Sequence, residues 1–140
     1  QNEKDFLLKD LCARLPYGIK FPITVKNPIT SEPIETTGTI SDINRYGIVS
    51  FVWDYEGQEI LVKNSLHIKD VKPYLFPLSS MTEEQEVEYD ATFATIVYED
   101  GRKDSAMTYK TFDWLNKNHF DYRGLIEKGL AIDATELNIY

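Results

Sequence analysis

The residue types best suited to chemistry are concentrated between His119 and Arg123, where a base, an acid, a phenol and a cation occur within five residues. A carboxylate that orients an imidazole is a familiar catalytic pairing, so an enzyme would use His119 and Asp121. No serine or cysteine nearby has a nucleophile-elbow context, and no glycine-rich oxyanion loop is present. The alternative is structural: Asp121 caps a turn, Tyr122 packs, and Arg123 pairs with a carboxylate or a helix C-terminus. We expect the structural role and assign no catalytic residue.

The sequence does not predict a metal centre or a cofactor. The acids of residues 83–90 lie on a predicted helix and lack the alternating spacing and central glycine of a calcium loop. The two histidines, His67 and His119, are far apart, and a single cysteine excludes a multi-cysteine site. That residue, Cys12, falls in a predicted apolar helical stripe, where we expect a small buried side chain. Glycine motifs that bind phosphate are also absent.

The charge of the chain is concentrated in one region. Fifteen basic and 23 acidic residues give a net charge of −8. Residues 81–104 contain eight acids and two bases, a balance of −6, so the remainder carries only −2. Proteins that bind nucleic acid place Lys and Arg against phosphates, so direct nucleic-acid binding is not expected. An acidic region attracts a basic protein instead, and we single out Glu84, Glu86 and Glu88 as contact residues.

The length and the hydrophobic content indicate one folded domain, residues 1–140. Hydrophobic residues make up 42% and charged residues 27%, both close to the globular average. No apolar run approaches the ~20 residues that span a bilayer, so no membrane association is predicted. Residues 1–5 lack the basic and apolar regions of a signal peptide.

The chemistry-bearing residues need a scaffold, which begins with a predicted helix over residues 3–15. Asn2 can cap its start, and Pro16 with Gly18 ends it. Five residues recur at helical spacing and predict one apolar stripe. They are Leu7, Leu8, Leu11, Cys12 and Leu15.

Residues 20–69 have the alternating pattern of strands. We predict strands near residues 21–25, 37–43, 48–53 and 59–63, with the third apolar on both faces and therefore central. Short links make the neighbours antiparallel. Four to five short twisted strands of this kind form a small, partly curled, SH3-like sheet. Pro73 and Pro77 exclude a long helix in the apolar connector that follows, which we expect to pack between the sheet and the helices.

Residues 82–128 are predicted to be mainly helical, with an extended tail over 130–140. Thr82 and Gln85 match a capping box, and we expect the helix to run to about Val97. The alternative is a strand over 92–98 that turns at Asp100 into a second strand. A second helix over 108–118 should direct Phe112 and Leu115 inward, and a short helical turn should cover 124–128.

Aromatic residues suggest two further surfaces. Residues 111–126 contain large apolar side chains, among them Trp114, so we expect this segment to pack against another surface. Tyr46, Trp53 and Tyr55 lie near strand ends, where exposed aromatics often anchor partners. Completion of the core is the alternative role for these three. We keep them as a second candidate contact surface.

Three phrases of the chain together carry a family resemblance. Residues 10–18 read DLCARLPYG, residues 71–84 read VKPYLFPLSSMTEE, and residues 119–126 read HFDYRGLI. They resemble a family of small uncharacterised proteins of gut Bacteroidales genomes, often found beside phage or mobile-element genes. The strands between residues 20 and 63 match least well. The resemblance implies a cytoplasmic, prophage-linked origin and transfers no activity.

These observations predict an α+β fold: an N-terminal helix, a small antiparallel sheet and C-terminal helices packed on it. The function that we expect is a non-enzymatic protein-interaction module with a basic protein partner. One alternative is an acidic decoy that mimics DNA. The other is a small enzyme centred on His119 and Asp121.

Overall fold

The computed structural model describes residues 3–140, so the predicted cap Asn2 lies outside the described residues. The helices are α1 (Glu3–Arg14), α2 (Glu83–Asp90) and α3 (Tyr109–Lys117). The strands are β1 (Lys20–Lys26), β2 (Pro33–Ile43), β3 (Ile48–Tyr55), β4 (Gln58–His67), β5 (Tyr74–Pro77), β6 (Ala94–Val97), β7 (Lys103–Ala106), β8 (Phe120–Asp121) and β9 (Ile132–Asp133). Together they form an α+β fold.

The largest sheet contains β1 to β4 in sequence order, and every neighbouring pair is antiparallel. The predicted antiparallel sheet is therefore confirmed, and β3 is one of its two inner strands. The β2–β3 pairing shifts register after Ile40, where β2 has an extra residue, and the β3–β4 pairing shifts after Val49, where the extra residues lie in β4 between Val62 and Leu66. Gly38 of β2 leaves space for two core rings, because a Cβ there would lie 3.1 Å from atoms of both Phe21 and Phe51.

Helix α1 covers the core, but its buried face differs from the predicted stripe. Leu7 and Leu11 are buried as expected, whereas the other two buried positions are Asp10 and Arg14. Cys12 is exposed, so its predicted burial is wrong. The buried positions follow the spacing i, i+3, i+4, i+7 of one helical face, and an ion pair occupies the two places that lack a leucine.

The connector after the large sheet is a strand in a second, parallel sheet. Strand β5 lies between β8 and β9, with Phe76 paired with Phe120 and Tyr74 paired with Ile132. Leu75 of β5 is fully buried in the core that α1 and the large sheet share. The connector therefore packs inside the fold, and the predicted extended tail supplies one of its neighbours.

The prediction of a helix as far as Val97 is wrong. The capping box of Thr82 and Gln85 is present, but α2 ends at Asp90 and the chain forms an antiparallel hairpin of β6 and β7. β-Branched residues at 92 and 95–97 favour extended backbone, because their side chains lose χ1 freedom in a helix. Gly101, with a φ of 88°, supplies the left-handed residue that the tip requires.

Helix α3 has the predicted position, and its main contacts are with α1, α2 and β8. Thr111 and Leu115, one turn apart, are buried. Phe112 is 41% exposed, so its predicted inward orientation is wrong: it lies on the helix face next to the buried one. Residues 124–128 form a turn, closed by a 3.2 Å hydrogen bond from the Lys128 N–H to the Gly124 carbonyl.

Candidate functional site

The part of the molecule with the least burial is also its most acidic part. We call residues 81–107, which comprise α2 and the β6–β7 hairpin, the acidic lobe. The eight acids and two bases counted above all lie within it. None of its residues is buried, and the same holds for the whole stretch from 76 to 110. The lobe therefore has regular secondary structure but no hydrophobic core of its own.

The glutamates predicted to meet a partner are in solvent on α2. Glu84, Glu86 and Glu88 are all exposed, as the prediction required. The Thr82 side chain accepts a hydrogen bond from the Gln85 N–H, and the Gln85 side chain accepts one from the Thr82 N–H. This cap and the acids of the first turn suit the positive end of a helix dipole. The acids are thus held on an ordered helix.

The hairpin presents apolar side chains beside these acids. Val97 is 63% exposed and Ile96 40% exposed, and Val87 at the centre of α2 is 70% exposed. Tyr98 at the tip carries the guanidinium of Arg102 over its ring at 4.5 Å. A two-stranded hairpin alone is marginally stable in water. The β-branched side chains of this hairpin are exposed, so they contribute no buried apolar surface to its stability. Exposed apolar side chains within a strongly acidic segment are typical of a binding region.

The acidic lobe is joined to the core through side-chain contacts with α3. Trp114 donates a 3.2 Å hydrogen bond from its indole N–H to Glu88. The Thr92 carbonyl, at the start of the hairpin, accepts from the hydroxyls of Thr108 and Thr111. These bonds attach the residues before β6 to α3, whereas β6 itself is exposed.

A series of ring contacts continues from the lobe into the fold. Successive ring centroids lie between 3.5 and 6.1 Å apart. We call this series the aromatic ladder; in order its members are Phe93, Tyr89, Trp114, Phe120, Phe76, Tyr140 and His119. Within it Trp114 stacks on Phe120 at 5.5 Å and 10°. The ladder connects α2, α3, β8 and β5, so it fixes the orientation of the lobe.

The second predicted surface is not brought together. Trp53 is 5% exposed and belongs to the core, with Tyr55 against it in an edge contact at 5.9 Å. Tyr46 is exposed in the turn before β3, whereas Tyr55 ends that strand. The seven residue steps of β3 alone span about 23 Å. Trp53 and Tyr55 therefore follow the alternative that we left open, completion of the core.

His119 and Asp121 do not form a catalytic pair. Asp121 accepts hydrogen bonds from the Leu125 and Ile126 N–H groups, one on each carboxylate oxygen and both at 2.9 Å. His119 instead stacks on Tyr140, with ring centroids 3.5 Å apart. The pKa of His119 is lowered to about 4, mainly by burial and in addition by the positive charges of Arg14 and Lys20. The arrangement therefore holds a neutral imidazole and a turn-capping carboxylate.

A buried charge cluster beneath this segment was missed by the sequence reasoning. Asp10 and Arg14 are both fully buried, and Arg14 Nε lies 2.8 Å from Asp10 Oδ2. Arg14 Nη2 also donates to the Phe120 carbonyl at 2.6 Å. Arg123 Nε lies 3.3 Å from Asp10 Oδ1, which matches the predicted pairing with a carboxylate. The i, i+4 spacing of Asp10 and Arg14 in an otherwise apolar stripe was the available signal.

The ring of Tyr122 lies against this cluster, with the guanidinium carbons of Arg14 and Arg123 each 5.2 Å from its centroid. Its hydroxyl donates to Asn116 at 2.9 Å. Asp10, Arg14 and Arg123 are thus each engaged in pairing or ring packing, while Arg14 Nη1 has no hydrogen-bond partner among the described residues. The geometry of the cluster is suited to fixing β8 against α1.

Other chemistry has little support in the described part of the chain. Residues 3–140 contain no group of three or more His, Cys, Asp or Glu side chains that could hold a metal ion. Cys12 is an exposed residue, yet nearby atoms desolvate its thiol and raise the pKa, which disfavours the thiolate. None of the described helices is long and apolar enough to cross a membrane.

Comparison of the chain with protein-family models, with curated proteins and with solved structures finds no match.

Proposed function

We propose that the protein is a non-enzymatic interaction module that binds a basic protein partner through its acidic lobe. The observation that carries this proposal is the absence of any buried residue over 76–110, a stretch that the structure describes in full. A segment without a core is held in place by few contacts, and its exposed Val87, Ile96 and Val97 are costly in water. A partner that covers them would remove that cost.

The charge of the lobe defines the chemistry of the partner. A balance of −6 on residues 81–107 creates a local negative potential that attracts a basic surface and speeds its encounter. The exposed apolar side chains of the lobe add the apolar contact that protein interfaces combine with charged groups. The partner should therefore present apolar side chains together with Lys and Arg.

Site-specific photo-cross-linking in the cells of origin tests the site. A photoreactive residue at position 87 or 97 should trap the partner. The same residue at position 29, where Ile29 is 79% exposed in the β1–β2 link, should not. Cross-links that form at position 29 and not within the acidic lobe would refute the proposal.

Association rates with the trapped partner test the charge. Replacing Glu84, Glu86 and Glu88 with Gln should slow association, and salt should do the same, because the screening length falls from about 10 Å at 0.1 M to about 3 Å at 1 M. The matched control replaces Glu32, Glu35 and Glu59, which are exposed outside the lobe, and changes the net charge equally. Equal slowing by both variants would show a general charge effect and not a site.

We further propose that the four-stranded sheet is partly curled in an SH3-like manner. Both edge strands line one apolar groove of about 440 Å³, to which β1 contributes Ile23 and Val25 and β4 contributes Ile60 and Val62. Phe51 of the inner strand β3 lies in the same groove. A flat sheet would keep its edge strands apart, whereas register shifts such as those of the β2–β3 and β3–β4 pairs increase twist and bending.

The cytoplasmic and prophage-linked origin that the resemblance implies also stays a proposal. Localisation of a tagged copy in the cells of origin tests the cytoplasmic assignment. The identity of the neighbouring genes tests the prophage-linked origin. A secreted copy would contradict the cytoplasmic assignment.

A further inference from the structure

We infer that the partner binds by adding an extended segment to the free edge of β6, which extends the hairpin to three strands. This inference rests on the proposed function and specifies how the acidic lobe makes contact. Within residues 3–140 the hairpin forms a sheet of only two strands, so no described strand pairs with the outer edge of either. Strand addition satisfies such an edge with main-chain hydrogen bonds, and the side chains supply the specificity.

The two edges differ in their protection. β7 reads Lys103-Asp104-Ser105-Ala106, with a charge of each sign, which is how natural sheets block unwanted pairing. The Ser105 N–H is also occupied, because it donates a 2.8 Å hydrogen bond to Asp104 Oδ1. β6 reads Ala94-Thr95-Ile96-Val97 and carries no charge. The unprotected edge is therefore that of β6.

The hydrogen-bond pattern identifies which groups of β6 face outward. The Tyr98 N–H donates to the Arg102 carbonyl at 2.9 Å, which makes Tyr98 and Arg102 a hydrogen-bonded pair. Such pairs alternate with non-bonded pairs along an antiparallel ladder. Val97 with Lys103 and Thr95 with Ser105 are thus non-bonded pairs, so the N–H and C=O groups of Thr95 and Val97 point away from β7.

No side chain of residues 3–140 accepts a hydrogen bond from the Thr95 or Val97 N–H, in contrast to Ser105. All four residues of β6 are exposed. The outward groups of Thr95 and Val97 are therefore available to a partner strand. Val97 and Ile96 lie on opposite faces of the hairpin. An added strand also has side chains on both faces, so it could cover Val97 on one face and Ile96 on the other.

The charge favours a basic segment over a second copy of this chain. Glu99 and Asp100 lie at the hairpin tip, and the α2 glutamates belong to the same acidic lobe. Two copies paired along β6 would bring together two regions of charge −6, and like charges in close apposition oppose binding. An alternating segment of basic and β-branched residues has the required complement.

The probe is the peptide acetyl-Lys-Val-Lys-Val-Lys-Val-Lys-amide, titrated into the full chain with amide hydrogen exchange followed by NMR. At saturation we expect exchange at Thr95 and Val97 to slow at least tenfold, with little change at Ser105. The same peptide with Glu in place of Lys should give no effect. Slowing at Thr95 and Val97 that grows with protein concentration in the absence of peptide would show pairing between two copies and overturn the assignment.

Two proline variants isolate the edge. Proline removes an N–H and is tolerated on an edge strand where that N–H faces solvent. Thr95→Pro should weaken peptide binding at least tenfold, whereas Ser105→Pro, at its cross-strand partner, should change it less than twofold. Slow exchange at the Ile96 amide in both variants shows that the hairpin is intact. Equal weakening by the two variants would overturn the β6 assignment.

The outcomes separate this inference from the proposed function. Peptide binding that protects α2 but leaves Thr95 and Val97 unprotected would refute strand addition and retain the acidic lobe as the contact. No effect of the basic peptide at millimolar concentration would also refute strand addition, while cross-links at positions 87 and 97 would still support the proposed function. Cross-links only outside the lobe would refute both.

Discussion

The buried ion pair between α1 and β8 offers the sharpest test of what holds this fold together. Arg14→Met keeps an unbranched apolar stem but removes two bonds to Asp10, at 2.8 and 3.2 Å, and one to the Phe120 carbonyl. It leaves Asp10, which has no exposed surface, with only the more distant Arg123. The change therefore leaves a buried carboxylate without its main partner and a buried carbonyl without its hydrogen-bond donor.

The expected cost follows from these losses. Breaking a buried pair by removing one partner costs about 3–5 kcal/mol, and the nearby Arg123 places Asp10 at the lower end. An unsatisfied carbonyl adds about 1 kcal/mol or more. We expect Arg14→Met to lower the free energy of unfolding by about 4 kcal/mol, a large part of the ~5–15 kcal/mol of an ordinary domain.

The chain contains a matched control for burial. Arg102 and Asp100 form an ion pair of the same type at the same 2.8 Å, but with side chains 70% and 58% exposed. Arg102→Met should cost about 0–1 kcal/mol. Urea unfolding followed by tryptophan fluorescence measures both variants. If Arg14→Met costs no more than Arg102→Met, the cluster contributes little and our account of α1 is wrong.

Three further changes test other parts of the fold. Trp114→Ala removes the ring that joins Tyr89 of α2 to Phe120 of β8 in the aromatic ladder and should cost about 3 kcal/mol, the lower end for a large aromatic because Trp114 is only half-buried; a loss below 1 kcal/mol in urea would make the ladder a surface feature. Gly38→Ala places a Cβ against two core rings and should cost about 1–3 kcal/mol, so an unchanged thermal midpoint would contradict the close approach. The low pKa of His119, about 4, means that the unfolded chain binds its proton more readily, so stability should fall as the pH drops from about 6.5 to 4. His119→Asn, which tolerates the φ of 63°, should lose less over that range, and parallel curves would show that His119 does not titrate as argued.

Local sequence signals accounted for the elements whose residues interact with near neighbours. The alternation in β1 to β4 and the short links between them were sufficient for the antiparallel sheet. The capping box fixed the start of α2 correctly. Its end was mispredicted because the apolar spacing of Val87, Ala91 and Ala94 fits a helix, whereas the β-branched residues that follow favour a strand. Nothing in the sequence alone weighs those two signals against each other.

Elements that depend on pairing with distant parts of the chain could not be predicted from local sequence signals. β8 and β9 have two residues each, too few for any periodicity, and they exist because β5 lies between them. The burial of Asp10 and Arg14 likewise depends on the Phe120 carbonyl, 106 residues from Arg14. At the candidate site, the exposure of Glu84, Glu86 and Glu88 was predictable from their charge, but the open edge of β6 required the hairpin itself.

The parallel sheet around β5 also has a consequence for the order of folding. Its pairs join residues 44 or more apart along the chain, such as Phe76 with Phe120, whereas the β6–β7 hairpin joins residues at most 12 apart. Hairpins of this size close in about 1–10 μs, and non-local pairings form later because their loop entropy must be offset first. The open edge of β6 is then presented before the rest of the chain has consolidated, when nascent molecules are most prone to aggregate. The negative charges around it would keep those molecules apart, so the acidic composition that we propose attracts a basic partner would also oppose aggregation during biosynthesis.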